Sequence, residues 1–474
     1  MKIPCLMLGS SVLMAAFLLP ANTGAEDRHE AELLFFPNAS GTGATLNTAG
    51  RIDRSNPFFQ KLGTNGRSCE TCHQASDGWS VTPENIQDRF HETKGRDPIF
   101  RTNDGSNSPN ADVSTVAARL AAYSMLLTKG LIRVGLGIPD NAEFELTGVD
   151  DPYGYATAGE LSLFRRPLPT ANLKFLSTVM WDGRETFSDP ASTDCILGTT
   201  KCFASLHFNL ADQSNSATVG HAQAAQPLSQ AQREAIVQFE MGLLTAQIFD
   251  TRAKHLTARG AKGGPEYLAA QPFYFGINDV VSGDYRSGKV FNPAVFNLYN
   301  AWISPSVEAD DDGHTIDARR AVARGQTLFN SKPIRITGVK GLNDDLSVAV
   351  LDGTCTTCHD TPSSGNHSIP APLDIGLTDE SRRTPDLPLY HLRNKATQEV
   401  IATTDPGRAL ITGKWKDIGR FKGPILRGLA ARPPYFHNGS AGDLNAAVDF
   451  YNQRFGIGLT GQERADLVAF LRTL

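Results

Sequence analysis

Cys69-Glu70-Thr71-Cys72-His73 and Cys355-Thr356-Thr357-Cys358-His359 decide how this chain is read. Both follow Cys-x-x-Cys-His, the pattern that attaches a c-type haem. On a helical turn, residues three apart share one face, so both sulfurs reach the same porphyrin edge and form thioethers. The histidine that follows turns under the ring and binds the iron. A zinc site made from the two Cys-x-x-Cys pairs is the competing reading, but it leaves unexplained a histidine in the fifth position of both motifs. Two covalently bound haem c groups are expected. Cys69, Cys72, Cys355 and Cys358 are the attachment residues, His73 and His359 the proximal ligands, and redox chemistry the function.

The other cysteines fit an exported protein. Residues 1–25 read as a secretory signal, with Lys2, an apolar run from Cys5 to Leu19, Pro20, and the small residues Thr23-Gly24-Ala25 before Glu26. The run is short for a membrane span, and no later stretch is long and apolar enough for one. The expected location is therefore the periplasm, with the signal cleaved and no stable membrane insertion. Of seven cysteines, Cys195 and Cys202 remain, and in an oxidising compartment they predict a disulfide around a small loop. A net charge of −5 with both signs interspersed suggests no nucleic-acid partner.

Helix signals recur along the chain. Ser114 is placed to cap a helix running to Leu127 and closing near Gly130. Ser229 with Gln232 forms a capping box before Ile236-Val237, in a helix continuing past Leu243-Leu244 to Phe249. Asp317 opens Ala318 to Phe329, Asp443 caps Leu444 to Phe455, and Thr460 with Glu463 starts a helix through Leu471. Ile334 to Val339 alternates and pairs as a hairpin arm with Val348-Ala349-Val350. The expected fold is mainly α: two cytochrome c-like haem domains with long loops, and an inserted segment in the first half. The first domain covers 26–303 and the second 317–474, joined by a linker containing Ser304-Pro305 and Asp310-Asp311-Asp312-Gly313.

Three further segments carry a resemblance. Trp181-Asp182-Gly183-Arg184 lies between the haem motifs. Gly419-Arg420-Phe421-Lys422-Gly423-Pro424-Ile425-Leu426-Arg427 and Pro434-Tyr435-Phe436-His437-Asn438-Gly439-Ser440 lie after the second. With the haem motifs, the chain resembles the bacterial dihaem cytochrome c peroxidases, a superfamily that includes the dihaem maturase of methylamine dehydrogenase. The likeness runs from about residue 57 to the C-terminus.

The resemblance implies a peroxidatic N-terminal haem and a C-terminal haem that takes electrons from a small donor protein. Peroxidases of the family place a methionine on the second iron, yet the last methionine here is Met241, before Cys355. The matching position is Tyr451, as in the maturase, and a tyrosinate ligand lowers the potential. Tyr451 is the haem 2 ligand in this reading, against an ordinary helix tyrosine. His437 is the chief competitor, although the family's signature histidine sits near the haem without ligating it; His367 and His391 rank lower. The family's distal glutamate has no counterpart in Gln213 to Gln223, where His221 stands instead. His221 is read as the acid/base that moves the peroxide proton, with iron ligation or a plain loop histidine as alternatives. Trp181 falls at the bridging tryptophan and is read as an electron relay rather than only haem packing. Calcium on backbone oxygens is also implied, and the Asp310-Asp311-Asp312 run reads as a solvated linker, not as that site.

The expected function is periplasmic reduction of hydrogen peroxide to water, with a small c-type cytochrome or cupredoxin as donor and a homodimer left open. A maturase-like or oxygenase-like enzyme acting on a protein or organic substrate is the second reading, and a non-enzymatic dihaem electron carrier the third.

Overall fold

A computed structural model of the chain describes residues 32–189, 191–192, 195, 202–304 and 312–474. The expected signal at 1–25 and residues 305–311 of the expected linker lie outside these.

The fold is not mainly α. Helix accounts for 31% and strand for 18%, and the strands form several small sheets. The stretch after Gly242 shows why the sequence misled. The helix capped at Ser229 ends at Gly242, and the expected continuation is instead the strand Leu243–Asp250. That strand lies between Gly41–Asn47 and Lys254–His255 in a four-stranded antiparallel sheet completed by Glu32–Asn38. Leu243 through Gln247 are all buried. A strand covered on both faces carries a continuous buried run, which period alone does not separate from a helix.

A second sheet joins distant parts of the chain. Phe144–Asp150 pairs antiparallel with Leu389–Asn394, which also pairs with Val400–Thr403. Its buried residues Phe144, Tyr390 and Leu392 pack in one core with Leu161 and Leu163 of the neighbouring strand Leu161–Arg165. Tyr390 seals it by donating its hydroxyl to the Ser162 carbonyl at 2.7 Å and accepting from the Ser162 N–H at 2.9 Å.

Around the second motif, helix Gly313–Ser331 crosses helix Gly461–Leu471. The contact passes over Gly325, where an added Cβ would fall 1.9 Å from the Asp466 carbonyl oxygen, so only glycine permits this approach. Phe296, Phe329 and Phe470 interlock beside it, with ring centroids 5.4–5.7 Å apart. The first of these helices begins a turn before the expected Asp317, because Asp312 caps it by accepting from the Thr315 N–H at 2.7 Å. Asp443 caps Leu444–Phe455, and Thr460 with Glu463 forms the expected box. The helix expected from Ser114 is capped by Thr115 and divides at Tyr123 into Val116–Ala122 and Ser124–Lys129. Ile334–Thr337 pairs with Val350–Gly353. Cys195 and Cys202 form a disulfide.

Candidate haem sites

Each attachment motif is a short 3-10 turn rather than a full helix: Cys69–Thr71 and Cys355–Thr357. A hydroxyl residue precedes each first cysteine, and a threonine precedes each second one. The Ser68 N–H donates to Thr71 Oγ1 and the Thr354 N–H to Thr357 Oγ1, both at 3.0 Å. These local bonds hold the turn so that both thiols stay free and face one cavity. Each cavity is walled mainly by apolar side chains around its two thiols and its histidine. Free thiols, a histidine and apolar walls suit a covalently held haem c.

The two histidines expected to bind iron are held from behind. His73 Nδ1 bonds the Trp79 carbonyl at 3.0 Å, and His359 Nδ1 bonds the Gly365 carbonyl at 2.6 Å. An N–H donated at Nδ1 leaves Nε2 as the ligating nitrogen. Burial lowers each imidazole pKa to about 4, which favours the neutral ring that iron needs.

His221, at the C-terminal end of helix Leu206–Gly220, lines the first cavity with Cys69, Cys72 and His73. Its Nδ1 lies 2.5 Å from a carboxylate oxygen of Asp104, whose other oxygen accepts from Arg67 Nη1. Arg67 also donates to the His221 carbonyl at 3.1 Å. Burial opposes the Asp104 charge, yet bonds from His221 and Arg67 hold its carboxyl below the usual range. Glu240 lines the same cavity with Oε2 unpartnered, and burial pushes its pKa up to about 8. Met180 lines it too. Asp104, Arg67, Glu240 and Met180 escaped the sequence reading. No local signal marks Asp104, which sits in a polar loop 117 positions from His221.

Trp181 lines both cavities. Its Nε1 donates to the Arg166 carbonyl at 2.8 Å, and its carbonyl accepts from the Lys422 N–H at 2.9 Å. Its ring meets His437 edge-on at 6.1 Å. The next residue, Asp182, is fully buried and binds Arg165 and Arg184, while Arg165 clamps Asp405 with two bonds at 2.7 and 2.9 Å.

Tyr451, His437 and His367 all line the second cavity, and no methionine does. The Tyr451 ring packs against Phe436, Phe450 and Phe455, and burial raises its pKa. His437 stacks on Phe421 at 4.2 Å, and burial lowers its pKa to about 4. His367 pairs with Asp360 at 3.3 Å. His391 belongs to strand Leu389–Asn394 and lies against Gly148, outside both cavities.

The implied calcium fits poorly. The carbonyls of Val81, Lys129 and Arg432 converge from separate segments, but each already accepts from the Arg166 guanidinium.

No family model matches the chain. Three curated relatives are informative. A cytochrome-c peroxidase, IdrP2, of Denitromonas iodatirespirans is 35% identical over 141 residues, covering 28% of this chain and 38% of the relative. IdrP1 of Pseudomonas sp. (strain SCT), also a cytochrome-c peroxidase, is 30% identical over 189 residues, or 33% and 49% of the two chains. Cytochrome c551 peroxidase of Pseudomonas aeruginosa is 28% identical over 127 residues, or 27% and 32%. The matched region thus spans less than half of each relative's own length. A solved MauG-like protein associated with microbial copper homeostasis matches at 16% identity and TM-score 0.34, over 88% of this chain and 87% of that one; a likeness so remote carries no argument. Over these partial stretches the chain is similar to cytochrome c peroxidases, and both attachment turns open on cavities that share one tryptophan, in keeping with the resemblance to the dihaem cytochrome c peroxidase superfamily.

Proposed function

We propose that the chain is a periplasmic dihaem oxidoreductase that reduces hydrogen peroxide to water, drawing electrons from a small c-type cytochrome or cupredoxin. The observation that carries this reading is the Asp104–His221 pair in the wall of the first cavity. Haem at that site supplies the peroxide-binding iron and one-electron chemistry. With Nδ1–H donated to Asp104, His221 keeps Nε2 free to accept the peroxide proton and return it to the leaving oxygen. Asp104 stabilises the imidazolium formed between those steps, and Arg67 keeps the carboxylate charged and fixed. Two electrons and two protons convert one peroxide to two waters. Trp181 is the relay from the second site, since its indole borders both cavities. The test is peroxide turnover by the holoprotein with reduced donor, starting from both oxidised and half-reduced forms. Absence of turnover from either start overturns the reading.

Tyr451 favours a second reading with equal force: a maturase-like enzyme that oxidises a protein or organic substrate. A phenol placed with His359 in a methionine-free cavity suits an iron of low potential. A near-infrared charge-resonance band after peroxide addition supports this reading, and a second haem with methionine-type spectra removes its basis.

A further inference from the structure

We infer that Arg166 is the chain's own cation between the two haem cavities, holding the carbonyls that a calcium ion would otherwise gather and fixing Trp181 against the second site. Arg166 directly follows strand Leu161–Arg165 and is 5% exposed. Its guanidinium donates to the Lys129 carbonyl at 2.9 Å, the Val81 carbonyl at 2.7 Å and the Arg432 carbonyl at 3.3 Å. Its backbone N–H donates to the His437 carbonyl at 2.7 Å, and its backbone carbonyl accepts from Trp181 Nε1 at 2.8 Å. One residue therefore ties the bridging indole and the signature histidine to three other segments.

Inward-facing carbonyl oxygens are ligands for a hard cation. Here a planar guanidinium, with five donors in a rigid fork, meets them instead. Among the described residues no carboxylate forms an ion pair with it; Asp77 and Tyr435 act on it only at longer range. Burial, and after it the nearby Arg432, lowers the Arg166 pKa to about 10, so the group is still a cation at neutral pH. Room has been made for it as well. An added Cβ on Gly130, which has a φ of +62°, would fall 2.5 Å from Arg166 Nη1. A divalent ion on the same carbonyls would face two guanidiniums, Arg166 and Arg432, across a medium that screens charge weakly. The cradle is thus closed to calcium and needs none.

The positioning role rests on the reading of Trp181 as the relay; the exclusion of calcium does not. The test uses the holoprotein. Its calcium content after dialysis is measured by mass spectrometry, and its haem spectra and potentials are recorded with and without EGTA. The expected result is far less than one calcium per chain and no response to EGTA. Arg166→Ala opens the cradle: its two potentials and inter-haem spectral features shift, and millimolar ethylguanidinium or Ca²⁺ restores them, with Arg166→Lys lying between. One tightly held calcium per wild-type chain overturns the exclusion. Potentials and spectra of Arg166→Ala identical to wild type overturn the positioning role. If Arg166→Ala fails to accumulate as holoprotein, the same readings on Arg166→Lys decide that role, and identity with wild type overturns it. None of these readouts uses peroxide turnover, so failure of the peroxidase reading registers separately.

Discussion

His221 Nδ1 and a carboxylate oxygen of Asp104 lie 2.5 Å apart in the wall of the first haem cavity, although the two residues are 117 positions apart in the chain. The bond sets the tautomer and aims the imidazole. General acid–base groups contribute about 10²–10⁴-fold, so His221→Ala lowers peroxide turnover by about that factor. Asp104→Asn leaves the shape almost intact but removes the charge that favours Nδ1–H, and it falls in the same direction. Haem content of both variants, read as the pyridine haemochrome, stays at two per chain.

Tyr451→Phe removes the only phenol in the helix Leu444–Phe455 that lines the second cavity. A tyrosinate ligand stabilises oxidised iron. The potential of the second haem therefore rises in Tyr451→Phe, and its electronic spectrum changes, while the first haem keeps its own. Spectroelectrochemical titration reads both, and an unmoved second potential counts against ligation.

Glu240 gives a pH prediction of definite sign. Burial raises its carboxyl from 4.5 to about 8 in the folded chain. Between those values the folded state holds a proton that the unfolded state has released. Stability therefore falls as pH rises through that window. Glu240→Gln removes this dependence, so its unfolding free energy relative to wild type increases from pH 5 to pH 8. Denaturant titrations at both pH values measure it, and parallel changes in the two proteins contradict the assignment.

Gly325→Ala tests the helix crossing. Alanine favours an isolated helix over glycine by about 1 kcal/mol. Here its Cβ would meet the Asp466 carbonyl oxygen at 1.9 Å and Phe470 Cβ at 2.7 Å. Overpacking costs about 1–3 kcal/mol, so the variant is less stable despite the better propensity, which chemical denaturation measures.

The features legible in the sequence were local ones. The caps at Asp443 and Thr460 work through bonds spanning three residues, and each attachment turn is closed by a bond from the residue directly before its motif to a threonine within it. The Cys195–Cys202 bridge closes over seven positions. What was missed depends on partners far away in the chain. Leu243–Asp250 reads as the end of a helix until Gly41–Asn47 is laid beside it. Phe144–Asp150 finds its partner only in Leu389–Asn394. Those pairings turned an expected mainly α fold into one of small sheets joined by short helices. The same limit hid Asp104 and the Arg166 cradle, because neither a carboxylate in a polar loop nor an arginine after a strand announces what folding will bring to it.

The central claim is that the two haem sites are unequal, with the first kept open beside His221. Electron paramagnetic resonance of the fully oxidised holoprotein tests it most directly. The account predicts one high-spin ferric signal from the first haem, retained in His221→Ala. Two low-spin ferric haems, with a high-spin signal appearing only when His221 is removed, would make His221 an iron ligand and contradict the account.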